Sequence, residues 1–296
     1  MPFESNLLYA ITKSFILQET GDGVQHVHEV LNEYPTNRLA LFLGAALAIK
    51  NANSEEALSL LDRLGEQRSG LPLYYADYLR GEVYLHKAQY LNSITAYRWF
   101  ISYYKGQNYI KDAHYKIGLC YWLNGNVMEA ELLFKQARNI GKETTEADKY
   151  AARSLADAER PHLQLTKARY SIDGGYYQEA SAMLNGIEPA DLKTDRDKIE
   201  YLYRKARIAH KTKQFALAKE LYKKTIDQSG DAFWYFAPNA CLQLGYIFMD
   251  ENDDTKAAFY FKEALEYKKH EYKNSIDSKA KSALAHINKK KKQPRN

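Results

Sequence analysis

The amino-acid sequence predicts an all-α protein, a right-handed α-solenoid of about seven degenerate helix pairs. Three observations carry this. Apolar residues recur at three- and four-residue spacing along most of the chain, and no stretch alternates as a strand would. Pro35, Pro72, Pro161, Pro189 and Pro238 fall between the periodic segments or near their starts, where a missing N–H costs nothing. A spacing of small residue, aromatic, small residue, aromatic then returns several times along the chain.

Phe3, Leu7, Leu8, Ile11 and Phe15 open the chain on an amphipathic helix. After the turn Thr20-Gly21-Asp22-Gly23, Val27, Val30 and Leu31 give its partner. The second pair has Gly44 and Leu47, then Ala57, Leu61 and Leu64. Gly44 to Ala57 is one residue longer than in the fourth pair, which predicts an extended turn at 51–54 with Ser54 as helix cap. Gly81, Tyr84, Tyr90, Ser93, Tyr97 and Phe100 make the third pair. The fourth, Asp112 to Ala137, has the clearest spacing: Gly118, Tyr121, Ala130, Phe134 and Ala137.

Residues of about 144–159 interrupt the alternation. Thr145 and Asp148 have capping-box spacing ahead of Tyr150, Ala151, Leu155 and Ala158, which predicts an extra helix stopped by Pro161. The fifth pair runs over 162–187 and turns at Asp173-Gly174-Gly175. The sixth carries Ala206, Ala209, Ala218 and Tyr222. The seventh carries Gly245, Phe248, Ala257, Phe261 and Ala264. Ser275 then starts a C-terminal capping helix with Ile276, Ala280, Ala283, Leu284 and Ile287 on one side, covering the last repeat. The expectation is one superhelical domain over 1–288, with possible sub-blocks 1–143 and 144–288, and a basic disordered tail over 289–296.

Charge and composition narrow the function. The net charge of +5 is concentrated at the C-terminus: residues 262–296 hold 11 Lys and Arg against 4 Asp and Glu, so the remainder is slightly acidic. That is not the broad basic face of a dedicated nucleic-acid binder, and no specific nucleic-acid partner is expected. Cys120 and Cys241 have no metal-ligand spacing and read as small packing residues in a reducing compartment. Residues 1–20 lack a signal-peptide pattern, and the longest apolar run, 39–49, is too short to span a bilayer, so a cytoplasmic location and no transmembrane segment are expected. The run Lys289, Lys290, Lys291 and Lys292 offers weak contact with an anionic membrane surface.

The Gly118-x₂-Tyr121 and Ala130-x₃-Phe134 spacing resembles the tetratricopeptide repeat, and variants of it cover most of the chain. Tyr235 to Phe248, followed by His270 to Leu284, resembles the closing repeat and cap of uncharacterised bacterial members of that superfamily. The resemblance implies a scaffold or adaptor for protein partners, by analogy of fold.

Catalytic signatures fail. No zinc-protease histidine pair exists, because Asn274 stands where a second histidine would follow His270-Glu271. Gly141-Lys142 is not a phosphate loop, since Gln136 replaces its first glycine and Glu143 its Ser or Thr. No catalytic residue, cofactor or metal is expected, and an enzyme with a site in the groove is the remote alternative. A structural or regulatory subunit held at a membrane or anionic partner by the basic C-terminus is the nearer one. The candidate site is the concave face lined by the first helix of each pair. With Gly118 and Tyr121 facing the paired helix, the remaining stripe carries Tyr78, Tyr115, Trp122, Arg169, Tyr203, Arg207 and Tyr246. Tyrosine and arginine suit peptide recognition. The competing expectation is that tight curvature buries these rings between neighbouring helices. The oligomeric state is left open.

Overall fold

The computed structural model describes residues 3–16, 20–67, 69–157 and 159–292. These form sixteen α-helices without a strand, and the chain divides into two compact units, the main division falling after Tyr176. Helix pairs stacked in sequence make an all-α solenoid architecture.

In the first unit α1 (Phe3–Ile11) runs into a π-helical turn at Thr12–Ile16. There follow α2 (Thr20–Glu33), α3 (Arg38–Lys50), α4 (Ser54–Glu66), α5 (Tyr75–His86), α6 (Tyr90–Tyr103), α7 (Ile110–Leu123) and α8 (Val127–Ala137). Each helix packs on the next, from α1 with α2 to α7 with α8. The expected extra helix is α9 (Glu146–Ala156), packed on α7 and α8, and α10 (Leu163–Gly174) lies back across α5 and α7. The second unit holds α11 (Tyr177–Asn185), a 3₁₀ turn at Pro189–Asp191, and α12 (Asp195–Lys211), α13 (Phe215–Ser229), α14 (Phe236–Asp250), α15 (Asp254–Glu266) and α16 (Lys273–Lys292). The two helices of the predicted fifth pair, α10 and α11, therefore belong to different units.

One turn geometry recurs six times. Ala52, Ala88, Gly125, Gly175, Lys213 and Asn252 all have positive φ, between +56° and +90°. The next N–H in each case reaches the carbonyl five residues back, as in Asn53 to Ala48, Asn126 to Tyr121 and Asp253 to Phe248, at 2.8–2.9 Å. This is the Schellman closure of a helix C-terminus. It fixes the register: a buried small residue stands seven before the left-handed residue and another five after it. Applied to the second pair, the register selects Ala45, not Gly44, as the counterpart of Gly118. The turn at 51–54 is therefore not extended.

The small residues exist to admit rings. A Cβ on Gly81 would lie 2.6 Å from the Tyr97 ring, on Gly118 2.8 Å from Phe134, and on Gly245 2.5 Å from Phe261. Those rings are almost fully buried, each worth about 1.5–3 kcal/mol of transfer free energy.

Capping follows the sequence in part. Thr145 and Asp148 form the predicted capping box, and Asp148 does more: it accepts the Tyr109 N–H at 2.9 Å and the Asp112 N–H at 3.1 Å. One buried carboxylate thus satisfies orphan donors at the starts of both α9 and α7. Asn53, not Ser54, caps α4; the Ser54 hydroxyl instead donates to the Gly174 carbonyl at 3.1 Å, tying the end of α10 to α4. Ser275 is not the cap of α16 either, since the helix begins at Lys273. That helix continues through Lys292, where a disordered tail was expected, and Lys290 Nζ lies 3.3 Å from the Asp254 carboxylate. Residues 293–296 lie outside the described residues.

Candidate binding faces

In the first unit the first-helix face is already covered by the chain itself. Helix α10 presents Leu165, Ala168 and Ile172, all buried, and packs on α5 and α7. Its end is locked by Gly175, at φ +90°, where a Cβ would fall 2.2 Å from the Ala52 carbonyl oxygen. Tyr78 and Tyr115 are core residues, 3% and 4% exposed, and not a surface for a partner. The Tyr115 ring packs against Phe134 and Tyr150, and burial pushes its hydroxyl pKa up.

Tyr78 belongs to a buried polar cluster. Its hydroxyl donates to Asp112 Oδ2 at 2.6 Å and accepts from Lys116 Nζ at 3.0 Å. Lys116 also lies 2.6 Å from Glu82 Oε1 and 2.9 Å from Asp112 Oδ2, and the Tyr97 hydroxyl donates to Glu82. Burial works against Glu82, but Lys116 holds its carboxyl below the ordinary value. Asp112 goes the other way, because burial outweighs the same lysine. Two carboxylates and one ammonium, fully hydrogen-bonded, specify the α5–α7 contact more than they stabilise it. Trp122 and Arg169 are half-buried. Arg169 is engaged internally: it donates to the Tyr150 hydroxyl at 2.9 Å and lies over the Tyr150 and Tyr170 rings.

The second unit differs. Tyr203 is fully buried among Tyr222, Tyr235 and Phe236, and its hydroxyl has no hydrogen-bond partner among the described residues. Beside it, buried Arg204 pairs with Glu200 at 2.5 Å and donates to the Tyr235 hydroxyl at 2.7 Å. Arg207 and Tyr246 are only half-buried. Burial raises the Tyr246 hydroxyl pKa to about 12, and Tyr246 meets Phe261 edge to face. Burial and the neighbouring cations Lys211 and Arg207 lower His210 to about 4.

Lys279 on α16 was missed in the sequence. Burial and Arg207 hold its ammonium below the ordinary lysine value, and among the described residues it makes no ion pair. Its signal was present: it sits three after Ile276 and four before Ala283, on the apolar stripe itself. A lysine there is out of place on a simple covering helix.

The predicted site residues divide between the two units. Tyr78, Tyr115, Trp122 and Arg169 stand in the first unit, and Tyr203, Arg207 and Tyr246 in the second. No described helix is long and apolar enough to cross a membrane.

Stacked helix pairs closed by one repeated turn define a helix-pair repeat protein. The tetratricopeptide repeat model matches residues 199–230 and 238–271, which are α12 with α13 and α14 with α15. Among solved structures, a tetratricopeptide repeat protein from Parabacteroides merdae shares 17% identity over 95% of this chain and 99% of that one, with a TM-score of 0.38. A Rap protein complexed with competence and sporulation factor shares 13% identity over 96% of this chain and 79% of that one, with a TM-score of 0.35. No curated protein matches the sequence.

Proposed function

We propose that the protein is a non-catalytic interaction scaffold that binds an acidic peptide segment of a protein partner on the α12, α14 and α16 side of its second unit. Tetratricopeptide repeats serve protein interaction in general, and this fold-level analogy gives the class of activity. The observation that carries the finer reading is Lys279, a largely covered lysine beside Arg207 without an ion pair. Two cations held together in reduced dielectric repel each other, and an anionic ligand relieves that cost. Arg207 supplies directional recognition of a carboxylate, and Tyr246 supplies rigid apolar area at small entropic cost. The first unit is the weaker candidate, because α10 already occupies its equivalent face.

Affinity enrichment from native cells should recover partners that an Arg207→Ala/Lys279→Ala double variant loses. Their binding should weaken by roughly 1–4 kcal/mol and fall with added salt. A double variant with wild-type helicity that retains every partner would remove the reading.

A further inference from the structure

A second surface stands apart from that face. Between α4, the segment that follows it, and α6 lies an open pocket of about 330 Å³ in the first unit. Its floor is apolar, with Leu64 and Leu73. One wall is the Trp99–Tyr103 pair, stacked with ring centroids 5.1 Å apart and 12° between planes. Both rings are about half exposed, and Tyr74, which also lines the pocket, is exposed as well. A stacked, half-exposed aromatic pair over an apolar floor is a surface suited to contact with a ligand.

The charges in the pocket are unequally committed. Arg38 donates to the carbonyls of Gln67 and Leu71, and Arg80 to Asp62 and the Leu61 carbonyl, so both guanidiniums are held by the protein. Asp77 is different. It lies in the first turn of α5, its carboxylate accepts no hydrogen bond among the described residues, and its one charged neighbour is Arg80. Burial lifts its pKa above the ordinary carboxylate value against the pull of Arg80, which marks an ionised group short of compensation. The alternative account of Asp77 is a first-turn acid favoured by the helix dipole. That account explains the residue and leaves the stacked exposed rings without a role.

We propose that this pocket binds the arginine side chain of a peptide partner, the guanidinium stacking on Trp99 and Tyr103 and pairing with Asp77. Arginine suits the site better than lysine, because its planar group stacks on rings while offering paired donors to a carboxylate. The aliphatic stem would lie on Leu64 and Leu73. The complementarity of one uncommitted carboxylate with an aromatic platform selects a cation over an acid.

The test is fluorescence anisotropy with a labelled nonapeptide carrying one central arginine flanked by leucines. Matched versions place citrulline, lysine or glutamate at the centre. Wild-type protein should bind the arginine peptide saturably and the lysine peptide less tightly. The citrulline and glutamate peptides should bind at least about tenfold more weakly than arginine. Asp77→Asn and Trp99→Ala should each lower affinity for the arginine peptide by a similar factor, with unchanged circular dichroism. Lys224→Ala, on the exposed side of α13 in the other unit, should leave it unchanged. Absence of saturable binding, equal binding of the citrulline peptide, tighter binding of the glutamate peptide, or indifference to both pocket substitutions would each overturn the proposal. Should Trp99→Ala prove unfolded, Asp77→Asn alone decides.

Discussion

Four of the six inter-helix turns place a side chain in the left-handed region, at Ala52, Ala88, Lys213 and Asn252. Asn tolerates that conformation; Ala and Lys hold it against a Cβ clash, at roughly 1 kcal/mol each. The turn is therefore enforced by the helices it joins and not by its own residue, which is why glycine was a poor guide to it. Lys213 is exposed, so Lys213→Gly should stabilise the protein by about 0.5–1 kcal/mol, read as a higher midpoint in urea at unchanged slope. Tyr203 offers a second test. Its hydroxyl is buried without a partner, so Tyr203→Phe keeps the ring contacts and removes an unsatisfied group. A gain of about 0.5–1.5 kcal/mol is expected; a loss of that size would mean that the hydroxyl is satisfied in solution.

Helix α12 shows how an element joins packing to chemistry. Its capping box at Thr194 and Asp197 sets its start, Tyr203 and Ala206 pack inward, and Arg207 and His210 follow one turn on. Because the folded His210 titrates near 4 and an unfolded histidine near 6.5, only the unfolded chain binds the proton between those values. Stability is therefore lost as pH falls from about 6.5 toward 4, by on the order of 1–3 kcal/mol. His210→Phe preserves the edge contacts with Phe215 and Tyr222 and should flatten that part of the pH–stability curve. An unchanged curve would place the histidine in water. Helix α10 shows where the sequence misleads. Its Leu165, Ala168 and Ile172 fit a repeat register, yet its partner is the first-helix face of α5 and α7, a contact set by Gly175 meeting Ala52 more than a hundred residues away in sequence. Periodicity reports which side of a helix is apolar; it does not report what covers it.

For the whole molecule, helix existence, the extra helix and the small-residue register were legible because each is local. Gly118 with Phe134, and Thr145 with Asp148, lie within one pair or one turn. What was not legible is long-range. The burial of Tyr78 depends on Asp112 and Lys116, and the division after Tyr176 depends on where α10 packs. The candidate site changed for the same reason: Tyr78, Tyr115 and Tyr203 of the expected stripe are interior. The proposed acidic-peptide site lies in the second unit, at Arg207 and Lys279. Hydrogen–deuterium exchange of the full chain, free and bound to a partner captured by affinity enrichment, tests this most directly. Protection should rise over α12 and α16, around Arg207 and Lys279, and remain unchanged over α7 and α10. Protection confined to α7 and α10, with α12 and α16 unaffected, would contradict it.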